Sequence, residues 1–64
     1  MKNATLEIKR IVQEGLNAGD HQLPLHEVRL ELMQMGFLPT TADRKIKECA
    51  ELFGWRISQG YLKY

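Results

Sequence analysis

From Trp55 to Tyr64 bulky and charged residues alternate on either side of the dipeptide Gln59-Gly60, in the stretch FGWRISQGYLKY. A two-residue turn at that dipeptide would fix every cross-strand partner at once, because loop length sets register. Gly60 supplies the positive φ such turns need, although Gln is a weaker choice than Asn or Asp at the first position. Ser58 then faces Tyr61, Ile57 faces Leu62, Arg56 faces Lys63 and Trp55 faces Tyr64. Side chains alternate between the faces of a strand. Trp55, Ile57, Leu62 and Tyr64 therefore share a face that can cover helices, and Arg56, Ser58, Tyr61 and Lys63 share the other. The stretch holds the one Trp and both Tyr residues, so it is expected to be part of the fold and not a frayed tail.

The remaining 52 positions read as three helices. The first runs from about Asn3, a plausible N-cap, to Ala18, with Ala4, Ile8, Ile11, Val12 and Leu16 at helical spacing and Gly19 as a left-handed stop. Lys2, Lys9, Arg10 and Glu14 occupy its other sides. Gln22-Leu23-Pro24 fits an extended piece before the second helix, which covers about Leu25 to Met35. Leu25, Val28, Leu32 and Met35 form its inner stripe, while Leu30 and Met33 lie well round from it. Such a helix is either sandwiched in the core or offers a second side to a partner, so Leu30 and Met33 are candidates for a protein interface. In the third helix Thr40 is expected as N-cap with Asp43 three residues on. Ala42, Ile46, Cys49, Ala50 and Phe53 make its core stripe before Gly54, and Thr41, Arg44, Lys45, Lys47, Glu48 and Glu51 face outward.

Sixty-four residues allow a single domain, positions 1–64, with a small core and few residues left for a lined catalytic pocket. Paired carboxylates, a catalytic triad and a phosphate loop are all missing, so an enzyme is not expected. No apolar run reaches the roughly 20 residues that span a bilayer, and the start MKNATLEIKR has no signal-peptide pattern. Cys49 has no second cysteine to pair with, which fits a reducing, cytoplasmic setting. It reads as a buried structural thiol, since no His lies at an evident spacing to activate it. His21 and His26 lack a third ligand at metal spacing, so neither a metal nor any other cofactor is expected. The formal net charge of +1 excludes a general polycationic glue but not a local basic face.

The order helix, short extended piece, helix, tight turn, helix, hairpin resembles a winged helix-turn-helix domain. The stretch TTADRKIKECAELFGWRISQGYLKY is similar to that family's third helix and wing: an Asp-Arg near the helix start, Ile46 three residues after Asp43, a closing Gly, then an Ile-Ser, Gly-Tyr hairpin. The resemblance implies an α+β fold, mostly α, of the kind found among small bacterial and phage regulators and replication proteins. It implies double-stranded DNA as partner, with the third helix in the major groove and the hairpin as wing. Thr41, Arg44, Lys45 and Glu48 match the exposed positions of a recognition helix. Arg44 would then contact guanine, Glu48 a cytosine amino group, and Lys45 and Lys47 phosphates, with Arg56 and Lys63 on the backbone. A lone domain of this size holds DNA weakly, so a homodimer or a further protein partner is expected.

Each of these residues also has a plainer reading. Arg44, Lys45 and Lys47 can pair with Asp43, Glu48 and Glu51 on a solvated helix face. Arg56 and Lys63 can serve to keep a sheet edge from aggregating. The whole scaffold can instead serve as a protein-docking module or inhibitor, a role in which DNA plays no part.

Overall fold

The chain folds as α1 (Ala4–Asn17), β1 (Gln22–Pro24), α2 (Leu25–Gln34), α3 (Pro39–Phe53), β2 (Arg56–Ser58) and β3 (Tyr61–Lys63). The computed structural model describes residues 3–64, so Lys2 lies outside the described residues. Three helices and a three-stranded antiparallel sheet give the expected α+β, mostly helical, winged-helix-like layout.

Local chemistry sets the helix ends. The Asn3 side chain accepts a hydrogen bond from the Leu6 amide, capping α1. At the other end Gly19 takes φ +87, its N–H bonds the Leu16 carbonyl, and the Asp20 N–H bonds the Gly15 carbonyl. Those two bonds satisfy carbonyls the helix leaves open. Met35-Gly36-Phe37 closes α2 by the same pair of bonds, to Met33 and Leu32. The third helix departs from expectation. Leu38, not Thr40, is its cap residue, and Pro39 is its first helical residue. Proline has no N–H to waste at that position and pushes the preceding residue into extended conformation, which moves the start earlier.

The sheet has the order β1-β3-β2. The hairpin register is the expected one: Arg56 opposite Lys63, Ile57 opposite Leu62, Ser58 opposite Tyr61. Gln59 at φ 52 and Gly60 at φ 79 form the turn, both with the positive φ that matches strand twist. Beyond Lys63 the ladder stops. The Tyr64 N–H turns to the His21 carbonyl, and its ring meets Trp55 edge-on at 6.5 Å. The short Gln22–Pro24 piece pairs with β3 to make the third strand, placing Leu23 opposite Leu62.

The core is built from Ile8, Ile11, Val12, Val28, Leu32, Ala42, Ile46, Cys49, Ala50 and Leu62. Its edges differ from the sequence pattern. Leu16 is 43% exposed, and Gly15 takes the inward position at the end of α1. Phe53 is 36% exposed, with Lys9 over its ring at 5.2 Å and Trp55 beside it at 5.1 Å. Ile57 is 40% exposed because it stands on the edge strand β2, where no further strand covers it.

Candidate nucleic-acid interface

The outward side of α3 is not one surface. A helix turns roughly 100° per residue, so Lys45 and Lys47 leave it on nearly opposite flanks, with Arg44 between them. Lys47 lies on the hairpin side, in an open cleft of about 380 Å³ lined also by Ile57 and Gly60 of the hairpin and by His26, Arg29 and Asp43. Lys45 lies on the α1 side, close enough to Cys49 for its charge to be felt by the thiol.

Ion pairing separates the cations further. Lys45 is bound to Glu48 at 3.2 Å, one turn along α3. Arg29 of α2 reaches Asp43 of α3 at 3.5 Å, tying the two helices at the mouth of the cleft. Arg10 is held between Glu7 at 3.1 Å and Glu14 at 2.8 Å on α1. Among the described residues Arg44, Lys47, Arg56 and Lys63 make no ion pair. Lys45 thus pairs with Glu48, while among the described residues Arg44 and Lys47 form no ion pair with an α3 carboxylate, although Asp43 lines the same cleft as Lys47.

Register places the hairpin cations. Leu62 is fully buried, so its neighbours Tyr61 and Lys63 point away from the helices. Arg56 is the direct partner of Lys63, and Gln22 of β1 lies on the other side of Lys63. Arg56 and Lys63 therefore share the outer sheet face with Tyr61 and Ser58. Two directly opposed cations repel each other, and an anion between them removes that cost.

Thr41 is half-buried near the start of α3, while Arg44, Lys47 and Glu48 are exposed. The structure brings Lys47 and the hairpin tip together, and Arg56 with Lys63. It sets Lys45 and Glu48 apart as a self-satisfied pair. Sequence reasoning left His26 out of this site and offered Arg29 only, with Lys9 and Arg10, as a further phosphate contact of unknown direction. Their signal was spacing: three residues apart on α2, they both face the cleft. The backbone also contributes, since the Leu25 N–H at the start of α2 donates to the Gly60 carbonyl at 2.9 Å and anchors the hairpin tip.

Comparison with protein-family models, curated proteins and solved structures finds no match. The winged-helix resemblance accordingly rests on element order and on the residues quoted above.

The lone thiol is not part of this surface. Cys49 is 1% exposed, and burial pushes it above its usual range despite the Thr5 hydroxyl nearby. A protonated thiol in the core is a packing group and a poor nucleophile. Leu30 and Met33 stand on α2 at 50% and 38% exposure, which removes both from the core. Among the described residues no group of three His, Cys, Asp or Glu is placed to hold a metal ion. No described helix is long and apolar enough to cross a membrane.

Proposed function

We propose that this chain binds double-stranded DNA through α3 and the β2–β3 hairpin, as a small regulator of transcription or replication. The observation that carries this reading is the distribution of uncompensated charge. Among the described residues Arg44, Lys47, Arg56 and Lys63 make no ion pair and lie on α3 or the hairpin, whereas Lys9 of α1, also without an ion pair, sits over the Phe53 ring. Lys47 stands in the cleft beside the hairpin, while Arg56 and Lys63 stand on the outer sheet face. Unpaired cations of this kind are suited to phosphates, whose contact releases counterions.

In this reading α3 enters the major groove, which is about 12 Å wide and admits one helix. Arg44 is the residue that reads a guanine edge. Lys47 takes the phosphate nearest the hairpin, and Arg56 with Lys63 takes a second stretch of backbone. Thr41 has a lesser role from the first turn of α3. Lys45 and Glu48 contribute to positioning only after their own pair opens. One copy covers one half-site, so two copies on a two-fold site are the expected assembly.

The test is a fluorescence-anisotropy titration of a duplex across a salt series. Three phosphate contacts, by Lys47, Arg56 and Lys63, give a log–log slope of roughly −3. Affinity that ignores salt, or that survives the combined change of Arg44 and Lys47 to Ala, overturns the proposal.

A further inference from the structure

A second hollow, of about 480 Å³, runs between α1 and α2 and shares no residue with the cleft at the hairpin. Its floor is apolar, formed by the buried Ile11 and Val28, and Leu30 stands half-exposed on its wall. Glu14, Asp20, Glu27 and Glu31 line it, and no Lys, Arg or His does. Glu14 is engaged by Arg10 at 2.8 Å. Asp20, Glu27 and Glu31 make no ion pair among the described residues.

The arrangement works against the fold that carries it. Glu27 and Glu31 are like charges one turn apart on α2, which opposes helix formation. Asp20 follows the negative end of the α1 dipole, and no basic residue stands in that helix's last turn. The α2 dipole favours Glu27 in its first turn, but among the described residues no cation pairs with Asp20, Glu27 or Glu31. A cationic partner would relieve all of them while covering Leu30. The charge is spread along the rim, and none of it gathers three ligands for a metal ion. Nucleic acid is repelled by the same carboxylates.

We propose that this groove docks a Lys- and Arg-rich amphipathic helix of another protein, with an apolar side chain seated against Leu30. Charge complementarity selects the partner, and the accessible Leu30 and half-buried Leu23 supply the apolar contact. The ten residues of α2 offer about 15 Å of groove, enough for two to three helical turns. Binding here leaves the α3–hairpin side free, so the chain would carry two faces of opposite charge for two kinds of partner.

The experiment uses the full chain and two synthetic peptides of about four helical turns. Both carry Leu at helical spacing, one with Lys at the remaining positions and its twin with Glu. Backbone amide shifts are followed by NMR at low salt. The Lys peptide is expected to bind and to move the amides of Glu14 to Asp20 and Glu27 to Glu31. Added salt weakens it. Changing Glu27 and Glu31 together to Gln is expected to weaken binding about fivefold. Leu30→Ala, at a half-exposed site that the fold tolerates, is expected to weaken it about tenfold. Equal binding by the Glu twin, or shifts centred elsewhere, overturns the proposal. So does sedimentation showing that the chain pairs with itself through this groove and that Glu27→Gln with Glu31→Gln dissolves the pair, since a second copy is then the occupant.

Discussion

The phenolic oxygen of Tyr64 rests against Gly15, in the space that a β-carbon on that residue would need. The same oxygen is buried with no hydrogen-bond partner among the described residues. Two separate costs thus meet at one contact between the end of β3 and the last turns of α1. Alanine at 15 improves helix propensity by about 1 kcal/mol but collides with the phenolic oxygen of Tyr64, so Gly15→Ala is expected to destabilise by about 1–3 kcal/mol. Tyr64→Phe removes an unsatisfied hydroxyl and is expected to stabilise by about 1 kcal/mol. The double change should recover most of the loss, a coupling that urea denaturation of the four proteins measures directly.

Leu62 and Ile57 are cross-strand partners with different weight in the fold. Leu62 is fully buried in the central strand, and Ile57 is 40% exposed on the edge. Leu62→Ala is expected to cost about 2–5 kcal/mol, whereas Ile57→Ala should cost about 1 kcal/mol. Urea midpoints for both variants, with unchanged slopes, check this.

On DNA the three cations of α3 should behave differently. Arg44→Ala is expected to cost about 1–3 kcal/mol and to relax preference at one base position. Lys47→Ala should weaken all sequences alike and lower the salt slope by about 1. Lys45 is shared with Glu48 at 3.2 Å, so Lys45→Ala should have the smallest effect of the three. Anisotropy titrations on a set of duplexes with single base changes separate these outcomes.

Stability should fall in alkali. Burial raises the pKa of both the Cys49 thiol and the Tyr64 phenol, the latter helped by Asp20. Both groups are neutral when protonated, and both hold their protons more tightly folded than unfolded. Their contribution is therefore full below the ordinary values, about 8.5 for the thiol and 10 for the phenol, and is lost as pH rises through them. Thermal midpoints from pH 7 upward are expected to decline first near pH 9. Cys49→Ala should remove the earlier part of that decline and leave the later part.

The turn offers a gain. Gln59 holds φ 52, a conformation that Asn tolerates better than Gln. Gln59→Asn is expected to raise stability by about 0.5 kcal/mol, and Gly60→Val, at φ 79, to lower it by about 1–3 kcal/mol. Calorimetric midpoints of the two variants give the sign of each.

The hairpin was legible because a two-residue turn leaves its strands a single register, so Ser58, Ile57 and Arg56 had predetermined partners. Helical spacing likewise identified Ile8, Val12, Val28, Leu32 and Ile46 as core. Periodicity loses its meaning at element ends. Leu16 and Phe53 keep the period of the core stripe but lie where the packing partner runs out, and both are partly exposed. The Leu38-Pro39 start of α3 was readable in principle, since proline favours the first helical position, but Thr40 drew the cap assignment. Strand β1 has three residues and no alternation to detect; pairing with β3 makes it a strand. The charge division into a cationic cleft and an acidic groove depends on which sides of α2 meet α1 and α3. Composition near neutrality conceals it.

Strand β3 lies between β1 and β2, though it comes after both in the chain. The sheet therefore has no partly built form: until Tyr61–Lys63 have left the ribosome, Gln22–Pro24 and Arg56–Ser58 have nothing to join. The contact of Leu23 with Leu62 spans most of the polypeptide, and long-separated contacts slow folding. A nascent chain stopped just short of Tyr61 would present helices over an uncovered core, a state that chaperones bind and proteases cut.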